Sequence, residues 1–105
     1  MLFRSAGKRP TYQSSTQTPY LASYAVDQDT ETCARTRDLV RQMWRVDLEM
    51  RARVEYVLIE SKRWLPSVDI RIGKDQGNNK RINLYQLRSL MMKNFVVGFD
   101  SFHSL

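Results

Sequence analysis

The chain has 105 residues, a net charge of +6 and 42% hydrophobic residues, which leaves room for one small domain. Its single cysteine, Cys33, excludes an internal disulfide and with it the class of secreted disulfide-stapled scaffolds. No apolar run approaches the ~20 residues that a membrane-spanning helix needs.

Residues 1–26 have the composition of an extended arm. Pro10 and Pro19 lie among Ser, Thr and Gln, and the apolar residues follow no regular period. The first residues are basic, free of acids and rich in hydroxyl groups, as mitochondrial presequences are. We therefore predict a basic arm and a mitochondrial location, with a cytoplasmic or nuclear location as the alternative and no secretion.

Residues 27–65 are predicted to form one long amphipathic helix. No Gly or Pro interrupts them, acids lie near their start, and Lys62 and Arg63 lie near their end, as the helix dipole favours. Apolar residues step by three or four in two adjacent rows: Leu39, Met43, Val46, Met50, Val54 and Val57, and then Val40, Trp44, Leu48, Ala52 and Tyr56. A helix of this length is a rod of about 50 Å.

Such a rod has more apolar surface than the rest of the chain can cover. We therefore predict that it docks on a partner protein. A homodimeric coiled coil is the less favoured alternative, because the tryptophan and the wide apolar face fit a regular heptad seam poorly. The predicted partner-docking residues are Leu39, Met43, Trp44, Met50, Tyr56, Phe99 and Phe102.

Residues 66–105 are predicted to form a small basic α/β lobe. Apolar residues alternate over 68–72 and again over 82–84, which indicates a hairpin with a Gly- and Asn-containing tip. Asn83 and Gln86 have capping-box spacing, which predicts a short helix over 84–94. The aromatic tail that follows is either a third strand or an extended segment. The predicted fold class is thus α+β, with a long helix, a C-terminal hairpin and short helix, and an extended N-terminal arm.

The basic residues are concentrated at the two ends of the chain. Residues 1–26 carry three bases and no acid, residues 27–65 carry eight of each, and residues 66–105 carry six bases and three acids. Cations without interleaved carboxylates suit a polyanion. The predicted RNA-binding residues are Arg4, Lys8, Arg9, Lys74, Lys80 and Arg81. No RNP-type aromatic strand motif is present, so we predict contacts to the RNA backbone without base specificity.

The groups that catalysis needs are scarce. His103 lies near the end of the chain, Cys33 has no partner that marks it as a nucleophile, and no pair of residues has zinc-ligand spacing. We predict a protein that is not an enzyme and that binds no metal or cofactor.

These features together predict a non-catalytic structural subunit of a large ribonucleoprotein assembly. A mitochondrial ribosomal protein is the preferred interpretation, with the arm and the C-terminal loop on rRNA phosphate and the long helix on neighbouring proteins. One alternative is an accessory subunit of a respiratory-chain or ATP synthase complex. Another is an independent RNA-binding or regulatory protein, including a viral one, that acts as a helical dimer.

Overall fold

The computed structural model shows an all-β protein and describes residues 2–3, 7, 9–29, 31–61 and 68–101. Within these residues the backbone forms nine strands, and its one helical element is a four-residue 3-10 turn at Ala22–Ala25. The strands are Leu2–Phe3 (β1), Thr11–Gln13 (β2), Ala34–Arg35 (β3), Gln42–Asp47 (β4), Ala52–Glu60 (β5), Asp69–Lys74 (β6), Lys80–Gln86 (β7), Met91–Met92 (β8) and Asn94–Ser101 (β9).

Antiparallel pairing arranges these strands in two main sheets. One sheet has the order β2-β4-β7-β6 and the other β1-β9-β5, while β3 and β8 form a separate short pair. Side chains from both main sheets enter one buried cluster, in which the rings of Trp44 in β4 and Phe95 in β9 are 4.9 Å apart between centroids. The fold is therefore an antiparallel β-sandwich.

The side chains of β4 alternate between the core and the surface. Gln42, Trp44 and Val46 are buried, and the residues between them are partly exposed. This is the two-residue period of a strand. A step of four residues is two such periods as well as about one helical turn, so the row from Val40 to Tyr56 fits either structure.

The predicted long helix over residues 27–65 is wrong, because β3, β4 and β5 lie in this range. The sequence shows no Gly or Pro at the bends between these strands. Instead Arg41, between β3 and β4, and Glu49, between β4 and β5, adopt φ angles of 56° and 59°, a conformation that is usually left to glycine, as does Gln28 before β3 with 62°. The chain therefore turns at positions that lack the glycine or proline usual in turns.

The predicted short helix over residues 84–94 is also wrong. Residues up to Gln86 belong to β7, and β8 and β9 begin at Met91 and Asn94. The side chain of Gln86 accepts a hydrogen bond from its neighbour, as Leu87 N donates to Gln86 Oε1 at 2.9 Å. The predicted hairpin is present, since β6 pairs with β7 along its whole length.

The described residues of the predicted arm belong to the sandwich. Strand β2 extends the four-stranded sheet beside β4, and β1 pairs with β9. Gln13 fastens the segment that follows β2, because its Nε2 donates to Thr16 Oγ1 and Tyr20 O at 3.0 Å each and to Arg35 O at 3.3 Å. These residues therefore do not form an arm that extends away from the domain.

Two loops are fastened together at one end of the four-stranded sheet. Thr36 N donates to Leu90 O at 2.9 Å, and Leu90 N donates to Thr36 Oγ1 at 2.7 Å. Arg41 N donates to Leu87 O at 2.9 Å. The β3–β4 and β7–β8 loops are thus held side by side, next to the surface described below.

Candidate functional site

The outer face of the four-stranded sheet presents aromatic and charged side chains to solvent. In one row, neighbouring strands pair Tyr12 with Arg45, Arg45 with Asn83, and Asn83 with Arg71. In the next row, Tyr85 of β7 lies between Met43 of β4 and Asp69 of β6. These residues occupy the strand positions that alternate with the core residues, so they are not needed for the packing between the two sheets.

Tyr85, Arg71 and Asp69 contact one another at one corner of this face. The guanidinium carbon of Arg71 lies 5.0 Å from the centre of the Tyr85 ring, within cation–π range. The Nε and Nη2 atoms of Arg71 lie 3.0 and 2.9 Å from Asp69 Oδ2. The carboxylate thus holds the guanidinium over the ring and leaves an aromatic surface beside fixed charges.

A pocket of about 420 Å³ opens at this corner, which we call the Tyr85 pocket. It combines apolar surface from Tyr85, Met43 and Leu87 with several groups able to form hydrogen bonds. A mixed lining of this kind is typical of a small-molecule site, in which apolar surface gives affinity and a few polar groups fix the orientation. The residues that line it are Arg41, Met43, Asp69, Arg71, Tyr85, Gln86 and Leu87.

Arg41 forms part of the pocket wall in a strained backbone conformation. Its φ of 56° lies in the left-handed region, which costs an L-residue with a side chain about 1–2 kcal/mol. Its backbone N–H is bonded to Leu87 O, which holds the residue at the pocket. Strained residues of this kind cluster at binding sites, where the surrounding structure maintains them.

Asn83, at the centre of the face, has an unpartnered acceptor. Its Oδ1 atom is buried and forms no hydrogen bond within the described part of the chain. The two residues opposite it are arginines, but Arg71 is held by Asp69 and Arg45 lies over the Tyr12 ring, 5.0 Å from its centre. An acceptor that is buried without a partner destabilises the folded state.

The cations predicted to bind RNA are divided by the fold. Lys74 and Lys80 lie directly opposite each other at the end of the β6–β7 hairpin, and Arg81 follows with its Nε 3.4 Å from Asp47 Oδ2. Arg9 is partly buried just before β2. Arg4 and Lys8 lie outside the described residues. The structure therefore pairs Lys74 with Lys80, while Arg81 has the outward strand parity of Asn83 and Tyr85.

Four of the residues predicted to dock on a partner contribute to the domain itself. Trp44 and Phe99 are in the core, and Trp44 Nε1 donates to Ala22 O at 3.0 Å. Met50 packs against the core, and Tyr56 contacts Gly98 of β9. The helix that was expected to expose Trp44 and Tyr56 does not form.

The other three predicted docking residues lie at the surface or beyond the described range. Leu39 is exposed in the β3–β4 loop, and Met43 lines the Tyr85 pocket. Phe102 lies outside the described residues.

No cluster of three or more His, Cys, Asp or Glu side chains that could hold a metal ion occurs within residues 2–3, 7, 9–29, 31–61 and 68–101. None of the same residues belongs to a helix of the length and apolarity that crossing a bilayer requires. Cys33 is buried.

Of the residues that line the Tyr85 pocket, the sequence analysis predicts only Met43 to bind anything, and it assigns Met43 to partner docking. The signal was available in β6 and β7, where polar and apolar residues alternate, because that pattern places Tyr85 and Arg71 on an outer face. Their contact depends on the pairing register of the two strands, which the local pattern does not reveal.

Comparison with known proteins finds no matching family model and no match among curated proteins. Several solved structures share the fold. They include chitosan-binding module 1 of a chitosanase/glucanase from Paenibacillus sp. IK-5, which is 17% identical with a TM-score of 0.75, over 88% of this chain and 96% of that one. A fucose binding module of Streptococcus pneumoniae is 20% identical with a TM-score of 0.74, over 88% and 92%. The lectin domain of Lectinolysin, complexed with Lewis B antigen, is 15% identical with a TM-score of 0.70, over 95% and 96%.

The predicted role as a structural subunit of the mitochondrial ribosome is wrong. It depended on a long partner-docking helix, and the chain is a β-sandwich instead. The structures that share this sandwich are named as carbohydrate-binding modules and a lectin domain, not as ribosomal or RNA-binding proteins. The respiratory-chain subunit and the helical RNA-binding dimer required the same helix and lose their basis with it.

Proposed function

We propose that this protein is a non-catalytic glycan-binding module. The observation that carries the proposal is the match of nearly the whole sandwich to solved modules that are named for binding chitosan, fucose and Lewis B antigen. A shared fold does not by itself determine the ligand, so the proposal also needs a suitable site on this chain. We assign that site to the Tyr85 pocket.

The pocket has the two kinds of surface that a sugar ring requires. A pyranose has apolar C–H faces and a rim of hydroxyl groups. The Tyr85 ring with Met43 and Leu87 offers apolar surface to a face of the sugar. Asp69 accepts hydrogen bonds from hydroxyl groups, and the Arg41 guanidinium donates them.

The contact of Arg71 with both Tyr85 and Asp69 supports a prepared site. The Arg71 guanidinium contacts Tyr85 and Asp69 at the exposed edge of the pocket, so it already lies beside the site before a ligand binds. Its remaining N–H groups can donate to hydroxyls at the sugar rim.

The names of the solved modules with the same fold support the non-catalytic part of this proposal. They are named as binding modules and a lectin domain. The mitochondrial location and the exclusion of secretion remain predictions from the sequence. A glycan-binding role favours a compartment in which glycans are exposed.

The proposal is tested by screening the purified protein against an array of neutral and acidic glycans, and by titrating the hits by calorimetry. Tyr85→Ala should reduce affinity at least about tenfold, which corresponds to about 1.4 kcal/mol, because it removes the aromatic surface on which the sugar face packs.

Tyr12→Ala is the matched control for this test. Tyr12 lies on the same outer face with an arginine at the same 5.0 Å distance from its ring, but it does not line the pocket. Its replacement should leave the affinity within about twofold, a change below 0.5 kcal/mol. Absence of any glycan hit with folded protein would overturn the proposal, and equal losses in both variants would overturn the assignment of the site.

A further inference from the structure

The end of the β6–β7 hairpin carries a cluster of cations on the far side of the sheet from Tyr85. Lys80 has the same strand parity as the inward residues Ile82 and Leu84, whereas Tyr85 points outward. Lys74 is its direct cross-strand neighbour. The cluster is therefore separate from the Tyr85 pocket.

The β4–β5 loop adds a third cation to this cluster. Leu48 N donates to Lys80 O at 3.0 Å, and Lys80 N donates to Met50 O at 2.9 Å. These two bonds dock the loop on the hairpin and bring Arg51 next to the lysines. The loop and the hairpin border an open pocket of about 260 Å³, the hairpin-end hollow, which is lined by Arg51, Ala52, Lys74, Asn78 and Lys80.

No carboxylate lines the hairpin-end hollow, although acidic residues lie nearby in the chain. The carboxylate of Asp47 forms an ion pair with Arg81. Asp75 accepts hydrogen bonds from the backbone N–H groups of Gly77 and Asn79, at 2.8 and 2.9 Å, and so stabilises the hairpin turn. Within the described part of the chain, Arg51, Lys74 and Lys80 form no ion pair within 4.0 Å.

The placement of Lys74 opposite Lys80 is itself unfavourable. Like charges at directly paired positions of an antiparallel sheet repel each other and destabilise the pair. An anion bound between them removes this repulsion. Arg51 presents a planar fork that matches a carboxylate or a sulfate, and the lysines add point charges.

We propose that the hairpin-end hollow binds the acidic groups of an anionic glycan, either the carboxylates of uronic acids or sulfate esters. This inference rests on the proposed glycan-binding function and adds a second site to it. It also predicts a ligand preference opposite to that expected for chitosan, because chitosan carries amino groups that become cationic and would be repelled by three cations.

The test uses the full chain and four immobilised ligands: heparin, the same polymer after removal of its sulfates, hyaluronan, and single-stranded RNA. Neutral glycans are measured alongside. The variant Lys74→Gln/Lys80→Gln is compared with Arg37→Gln/Arg88→Gln, which removes the same charge from two exposed loop positions that line neither the hairpin-end hollow nor the Tyr85 pocket.

We expect Lys74→Gln/Lys80→Gln to weaken binding of acidic glycans about tenfold or more and to flatten its dependence on salt, while Arg37→Gln/Arg88→Gln changes it less than about threefold. Loss of heparin binding after desulfation identifies sulfate as the recognised group, and retention together with hyaluronan binding identifies carboxylate. Either result supports the site.

Four other results would overturn the inference. Equal losses in the two double variants would mean that net charge alone attracts the ligand. RNA binding as tight as glycan binding, and equally sensitive to the lysines, would mean that the site does not select glycans. Binding of neutral glycans with none of acidic ones would overturn this site and leave the proposed function standing, whereas no binding of any glycan would overturn both.

Discussion

The ring of Tyr56 occupies the space that a side chain at Gly98 would need. A Cβ atom built on Gly98 would lie 2.1 Å from Tyr56 Cε1 and 2.4 Å from Cζ, distances at which atoms overlap. The pairing of β5 with β9 shifts its register between Val54 and Tyr56, and Tyr56 is the direct partner of Gly98. The ring therefore lies over the neighbouring strand at this point. Glycine is required here by the close approach of an aromatic ring.

We expect Gly98→Ala to lower the free energy of unfolding by about 1–3 kcal/mol, the usual cost of adding atoms to a filled space. Gly73→Ala is the control, because no atom lies within 4 Å of the position that its Cβ would take. Denaturant unfolding of the two variants measures the difference. Combining Gly98→Ala with Tyr56→Ala should recover part of the loss if the ring is its cause, and strictly additive losses would contradict this explanation.

Trp44 is expected to be a stability residue. Its ring is buried against Phe95 and its Nε1 bonds to Ala22 O. Trp44→Phe should cost about 1–3 kcal/mol, because the carbonyl of Ala22 is left without its donor, and Trp44→Ala about 3–5 kcal/mol. Thermal unfolding followed by circular dichroism would measure both. An unchanged melting temperature in Trp44→Ala would contradict the observed core.

Arg41 allows the cost of a backbone conformation to be separated from the contribution of its side chain. Arg41→Gly removes the guanidinium from the Tyr85 pocket and also relieves the left-handed strain, so stability should be maintained or rise by about 1 kcal/mol while glycan affinity falls. Glu49→Gly, at a φ of 59° and away from the pocket, should give the same stability change without loss of affinity. Unchanged binding in Arg41→Gly would remove Arg41 from the site.

Asn83→Val should stabilise the free protein. It replaces an amide whose Oδ1 is buried without a described partner, a state that costs about 1–3 kcal/mol, by a residue well suited to a strand. Gln13 provides the contrast. Its Oε1 is also unpartnered, but its Nε2 donates to three acceptors, so Gln13→Leu should destabilise the protein. Differential scanning calorimetry of both variants decides the matter, and a lower melting temperature for Asn83→Val would contradict the prediction.

The sequence predicted the β6–β7 hairpin because its alternation and its Gly- and Asn-containing turn are both local signals. It did not predict the strands between Asp27 and Leu65. There the four-residue spacing of Trp44, Leu48 and Ala52 is shared by helices and strands, and Arg41 and Glu49 replace the expected turn glycines. Branched residues in β5, such as Val57 and Ile59, favour a strand.

The contacts within the candidate site could not be predicted from the sequence for a different reason. Tyr85 and Arg71 are fourteen positions apart in the chain and become neighbours only through the register of β6 against β7. The cluster of Arg51 with Lys74 and Lys80 depends in the same way on two hydrogen bonds between a loop and a strand. Local periodicity identifies which face a residue occupies, whereas tertiary pairing decides which residues it meets.

Outer-face and core positions alternate along β4 and β7, so substitutions at the two sets of positions have different consequences for the fold. Met43, Arg45, Asn83 and Tyr85 can be exchanged one at a time while Trp44, Val46, Ile82 and Leu84 keep the sandwich intact. Side chains of the outer face can therefore change without loss of the scaffold. This permits sandwiches that share 15 to 20% of their residues to superimpose over nearly their whole length.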